Sequence, residues 1–168
     1  MRFRTTKKIP EFILLKSIFM VIKNLFEPAV KQEIIERINK LNPQTQPLWG
    51  KMNAGQMLAH LKMPMGVAVG VHKLPRTLFG RIVGPLAKPM MYSEKPFKHN
   101  MPTDRSFIMT GTVKDFNNEK QNLLKLIDAF GEEKIVNEIH PFFGRMTREQ
   151  WSKAMYKHID HHLRQFGV

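Results

Sequence analysis

The feature that most constrains this chain is a stretch near its C-terminus, Trp151 to Phe166, which reads WSKAMYKHIDHHLRQF and holds three histidines within five residues. An α-helix advances about 100° per residue, so His158 and His162, four apart, project from one face a single turn from each other. Trp151, Met155 and Gln165 fall on nearly the same stripe, while Asp160 points to the far side. Apolar residues at that period mark the side of a helix that faces a core, and here the imidazoles sit among them. A buried imidazole needs a partner for each ring nitrogen. Two of them a turn apart form a two-nitrogen clamp for a transition metal, and the same spacing also suits a pair of hydrogen-bonded core histidines. The metal reading requires a further ligand elsewhere in the chain, because open metal sites usually take three protein ligands.

Cysteine is absent, which excludes disulfides, a cysteine nucleophile and thiolate ligands and leaves any site to histidine and carboxylates. A length of 168 residues suits one domain that buries a core without covalent staples. The net charge of +13 raises nucleic acid or an anionic membrane as partners. Its distribution argues against a specific nucleic-acid interface. Arg2, Arg4, Lys7, Lys8, Lys16 and Lys23 lie in the first 24 residues with only Glu11 against them. Lys73, Arg76, Arg81, Lys88, Lys95 and Lys98 lie in a Pro-rich region with Glu94. That second group reads as a solvated basic loop or, more sharply, as a groove for an acidic substrate or cofactor. No recognition helix or aromatic platform accompanies either group.

The opening MRFRTTKKIPEFILLKSIFMVI has a basic start and an apolar run, but Lys16 interrupts the run and no small-residue cleavage pattern follows. The run is also shorter than the ~20 apolar residues of a membrane span. Residues 1–24 are therefore expected to form an extension outside the fold, with Met20 an alternative start, and residues 25–168 the domain. Pro28 opens a first helix whose Val30, Ile34, Ile35, Ile38 and Leu41 recur at helical period until Asn42 and Pro43. Asn53 with Gln56 caps a second helix, on which Met57, His60, Pro64, Val67 and Val71 line one stripe and Pro64 predicts a bend.

Five prolines between residues 72 and 105 forbid one long helix and allow a short one from Arg76 to Leu86. Ser106 to Val113 reads as an extended segment. Asp115 to Phe130 reads as a third long helix buried through Leu123, Leu124, Ile127 and Phe130, and Lys134 to Arg145 as a connector. Thr147 with Gln150 caps the last helix. Four amphipathic helices with one long Pro-rich connection describe an all-α four-helix bundle, in which sites are built from facing helices. His60 is then placed to supply the third ligand.

His60 in QMLAHL, followed by His158, His161, His162 and Gln165 in HIDHHLRQ, resembles the DinB/YfiT-like superfamily of metal-binding four-helix bundles. The strings WGKMNAGQMLAHL and HPFFGRMTREQWSKAMYKHIDHHLRQFGV extend the likeness from about Pro28 to the C-terminus. The resemblance implies a DinB-like bundle with a divalent metal on His60, His158 and His162, one position left to water or substrate, and His161 and Gln165 beside the site. It also implies an enzyme of thiol S-transferase or hydrolase type, a low-molecular-weight thiol as co-substrate, a small-molecule substrate, and pairing of two copies into a homodimer. Three neutral imidazoles suit zinc, nickel or iron(II). Gln56, one turn before His60, is expected to support that ligand, and Trp151 and Met155 to wall the site, although both also suit a plain core. His72, His99 and His140 fall in expected loops and carry no role. The opposing reading is a non-catalytic bundle in which the same cluster is a relic or a stabilising clip. A cytoplasmic location is expected on either reading.

Overall fold

The computed structural model of this protein describes residues 20–168. The expectations for the basic and apolar opening, including the extension up to residue 19, lie outside the described residues. Met20 is buried and donates its backbone N–H to the carbonyl of Glu94 at 2.9 Å. Contact with the fold therefore starts before residue 25.

Among the described residues the architecture is mainly α-helical. Five α-helices follow in order: α1 Pro28–Asn39, α2 Ala54–Ala68, α3 Leu78–Ala87, α4 Phe116–Ala129 and α5 Arg148–Gln165. Two-residue strands β1 Ile139–His140 and β2 Gly144–Arg145 pair antiparallel between α4 and α5, Ile139 opposite Arg145 and His140 opposite Gly144. No helix of the described residues is long and apolar enough to cross a membrane.

Helix α2 lies at the centre. It packs most extensively on α4 and also on α5, and α1 packs on α4 and α5 in turn. Its sequence AGQMLAHLKMPMGVA is apolar all round, which suits a helix surrounded by others rather than one lying on a surface. Every residue of α2 except Lys62 and Met63 is buried, and Lys62 is paired with Glu119 of α4. The helix runs unbroken through Pro64 to Ala68. The expected stripe ends there: Val71 lies past the helix and is 71% exposed.

Local chemistry sets the helix boundaries. Pro28 occupies the first turn of α1, where its missing N–H costs nothing. Both reciprocal caps are present, Asn53 with Gln56 on α2 and Thr147 with Gln150 on α5. Asp115 accepts from the Asn118 N–H to open α4, whose Leu123 and Ile127 join Phe130 in the core. Ser106–Val113 is not a strand. Asp104 caps a one-turn 3-10 helix at Arg105–Phe107, and a turn follows in which Thr112 N–H donates to Met109. A polar cap next to a glycine-containing turn outweighed the β-branched composition there. Helix α3 starts at Leu78 rather than Arg76, capped by the Thr77 hydroxyl, which accepts from the Gly80 N–H. It stands apart from the α1–α2–α4–α5 group, on the 3-10 turn Lys88–Met91 and on β2.

Candidate functional site

His60 on α2 and His158 and His162 on α5 converge, each offering one ring nitrogen within 4.8 Å of the others. Their ring centroids are 4.8–4.9 Å apart and the planes are steeply inclined to one another. His60 and His162 are buried, and His158 keeps partial exposure.

Hydrogen bonds to fixed acceptors determine which nitrogens face inward. His60 Nδ1 lies 2.8 Å from the Phe107 carbonyl oxygen. A carbonyl only accepts, so Nδ1 carries the proton and Nε2 is left as a lone pair. Gln165 Nε2 donates to the Trp49 carbonyl at 2.6 Å, which fixes the orientation of its amide. Its Oε1 therefore faces His162 Nδ1 at 2.7 Å and accepts from it, leaving His162 Nε2 as a lone pair too. His158 Nε2 stands 3.0 Å from His60 Nε2. Its Nδ1 has no hydrogen-bond partner among the described residues, so the protein does not fix the His158 tautomer. The geometry suits either a proton shared between two Nε2 atoms or two lone pairs directed at one cation.

Electrostatics keep this group uncharged. Burial lowers the pKa of His60 against the opposing pull of the Phe107 carbonyl. Burial, and then the neighbouring His162, His60 and His161, hold His158 well below the ordinary histidine value. Burial and His60 bring His162 down to about 3. At neutral pH all three rings are neutral donors, the form that ligates metals.

The other residues singled out from sequence divide. Gln165 abuts the cluster, as described. His161 has its ring 5.1 Å from that of His162 and begins an aromatic group with Phe97 at 5.6 Å and Trp49 at 5.8 Å. Burial, then His99, lowers its pKa to about 4. Gln56 is engaged elsewhere: it accepts from the Asn53 N–H in the helix cap and donates to the Thr112 carbonyl at 2.9 Å, so it makes no hydrogen bond to His60. Trp151 is fully buried, donates to the Asn137 carbonyl at 2.7 Å and packs on His140 with centroids 5.1 Å apart. Two turns separate it from His158, and it is a core residue rather than a wall. Met155 belongs to the same buried core.

Two residues near the site were not legible in sequence. Lys157 is fully buried and donates to the carbonyls of Met90 at 2.6 Å and Ser93 at 2.7 Å, with its ammonium 4.5 Å from the Phe97 ring centroid. Burial lowers its pKa to about 8. His99, expected to be idle in a loop, stacks on Trp49 at 4.0 Å and adjoins His161. Neither contact has a local sequence signature, since both join segments tens of residues apart.

A cavity of about 20 Å³ lies against His161, lined also by Met20, Pro96, Phe97, Asp160 and Arg164. A larger one of about 250 Å³ sits between the C-terminal ends of α2 and α4, lined by Val69, Leu126 and Phe130 among others, and includes none of the histidines. The basic region between Lys73 and Lys98 is in keeping with a solvated loop: Lys88 donates to the Arg145 carbonyl at 3.0 Å, and Lys95 and Lys98 stand exposed.

Fold and site together define a mainly helical protein with a buried, uncharged three-histidine cluster open at one member. Residues 26–167 match the family described as protein of unknown function (DUF1569), and the chain belongs to that family. No curated protein and no solved structure matches it.

Proposed function

We propose that this protein is a DinB/YfiT-type four-helix bundle that binds a divalent transition metal through His60, His158 and His162 and serves as a metal-dependent enzyme of thiol S-transferase or hydrolase type. One observation carries the metal reading. Two imidazole Nε2 atoms approach to 3.0 Å while the Nδ1–H groups of His60 and His162 are committed outward to Phe107 and Gln165. Outward N–H donation is how proteins orient imidazoles towards a metal and raise their basicity.

The donor set fits such an ion. Nitrogens on a tetrahedral zinc-like ion stand about 3.3 Å apart, so the 3.0 Å pair suits shared ligation. The widest spacing, 4.8 Å, needs an approach of roughly 1.5 Å. Neutral nitrogen donors suit zinc, nickel or iron(II), and an ion held by three protein ligands supplies Lewis acidity to one exogenous donor. The chain's own residues then hold the geometry: Phe107 and Gln165 fix two tautomers, and Lys157 ties α5 to the loop bearing Met90 and Ser93. His161, Phe97, Trp49 and His99 line one approach. With no cysteine in the chain, a thiol nucleophile arrives as a co-substrate.

The test is metal content. The purified protein is expected to hold about one equivalent by elemental analysis, and His158→Ala and His162→Ala each to lose it. Unchanged metal in both variants sinks the reading. The close spacing of the three rings, with centroids 4.8–4.9 Å apart, also suits a second reading, a metal clip that stabilises a non-catalytic bundle. Metal-loaded protein without turnover on electrophiles with low-molecular-weight thiols, or on esters and amides, would establish that instead.

A further inference from the structure

Helix α3 carries its large apolar residues on the side away from the protein. Leu78, Phe79, Ile82, Val83 and Leu86 fall within an arc of about 140°. Four of them are exposed, Leu78 by 78%, Phe79 by 65%, Ile82 by 75% and Leu86 by 84%. The opposite face is Gly80 and Gly84, the buried residues of the helix. A Cβ on Gly84 would lie 1.8 Å from the Phe142 carbonyl oxygen, and one on Gly80 would lie 3.1 Å from the Phe142 ring. The helix is therefore held to the protein closely through its glycines, with Phe79 touching the Phe142 ring at a centroid distance of 6.0 Å, and its leucines, its isoleucine and most of its phenylalanine are left with water. Contiguous exposed apolar surface of this kind marks an interaction site.

Charge identifies the partner. No Asp or Glu occurs between Arg37 and Ser93, while Lys73, Arg76, Arg81 and Lys88 lie on or beside α3. Of the elements packed on α3, the Lys88–Met91 turn brings no carboxylate. The β1–β2 hairpin brings Glu138, which is paired with Arg145 at 2.8 Å. We propose that α3 is a membrane-docking helix that lays its apolar arc into an anionic bilayer surface, with Lys73 and Arg81 at the level of the lipid headgroups. Ten residues span about 15 Å, enough to lie in the interface and far too short to cross it. A second copy suits this face less well. A twofold pairing of α3 helices would bring the Arg81 flank of one against the same basic flank of the other, with no free carboxylate between them. Anionic headgroups reverse the sign of that interaction.

The test uses the full chain with vesicles of phosphatidylcholine alone and of equimolar phosphatidylcholine and phosphatidylglycerol, sedimented at low and high salt. The protein is expected to sediment with the anionic vesicles and not with the neutral ones. The double variant Ile82→Ser/Leu86→Ser should weaken binding at least about tenfold, and Arg81→Glu at least about fivefold, less at high salt. Both serine positions are exposed, so circular dichroism and metal content should match the parent, which separates this result from any failure of the three-histidine reading. Absence of binding to the anionic vesicles overturns the proposal. So does binding undiminished in the double variant, which would assign lipid contact to other basic residues such as Arg2 and Arg4. A dimer by analytical ultracentrifugation that the double variant dissociates, without vesicle binding, overturns it in favour of a second copy.

Discussion

In α5 the side chains withdrawn from water include a lysine, an aspartate, a histidine and a glutamine, whereas in α3 the side chains left in water include two leucines, a phenylalanine and an isoleucine. Both helices depart from the usual division of apolar inside and polar outside, in opposite senses, and neighbours explain each case. Every buried polar group named on α5 has a partner on another element: Lys157 on Met90 and Ser93, Asp160 on Arg37, and His162 through Gln165 on Trp49. Helix α3 meets its neighbours mainly through glycines, so apart from the edge of Phe79 on the Phe142 ring the protein offers its exposed large side chains little to pack against. A buried polar residue marks something the fold holds in place, and an exposed apolar arc marks something it presents.

Mutations can break this contrast. The largest effect at neutral pH is expected on α5. Asp160→Ala leaves Arg37 largely buried and without the carboxylate it meets at 2.7 Å, and should cost about 3 kcal/mol in urea denaturation. A loss near zero would show that the pair is solvated and that α5 is not held by its polar groups. Gly84→Ala on α3 comes next. Alanine favours a helix by about 1 kcal/mol over glycine, but its Cβ would meet a backbone carbonyl at 1.8 Å, so a net loss of roughly 2 kcal/mol is expected. A gain in stability would mean that α3 rides loosely on the hairpin.

A third prediction concerns His140, which joins the two regions: its ring lies on Trp151 of α5, and Arg76, just before α3, acts on its charge. Burial, then Arg76, lowers its pKa to about 4. Below about pH 6.5 the unfolded chain takes up a proton that the folded chain refuses. His140 should therefore make stability fall as pH drops from about 6.5 to 4, by at most about 1.4 kcal/mol per unit. Urea midpoints across that range should show a shallower slope for His140→Asn, and identical slopes would place His140 in water. The smallest effect is Ile82→Ala, within about 0.5 kcal/mol, because that side chain is 75% exposed. An isoleucine that can be deleted at almost no cost, set beside an aspartate that cannot, is the sharpest form of the comparison.

How far the sequence reaches follows the same line. Boundaries written in local chemistry were readable: Pro28 at the start of α1, the Asn53–Gln56 and Thr147–Gln150 caps, and the period that places His60, His158 and His162 on inward stripes. Features that depend on which segment arrives opposite were not. Lys157 gives no sign in its own neighbourhood of the two carbonyls it meets more than sixty residues upstream. One-turn spacing points Gln56 at His60, but the cap and Thr112 claim its amide. Asp160, expected on the far side of α5 from the histidines, is buried there by Arg37 of α1. The outward arc of α3 was hidden because helical period shows that a helix is two-faced without saying which face is covered.

The tethers along α5 also fix its rotational phase. Trp151, Lys157, Asp160 and Gln165 are each fastened to a different segment, so the helix can neither slide nor spin to accommodate a change in length. One residue inserted near Ala154 would turn everything beyond it by about 100°, moving the ammonium, the carboxylate and both imidazoles away from their places together. This helix should accordingly vary by substitution at its outer positions while its length stays fixed.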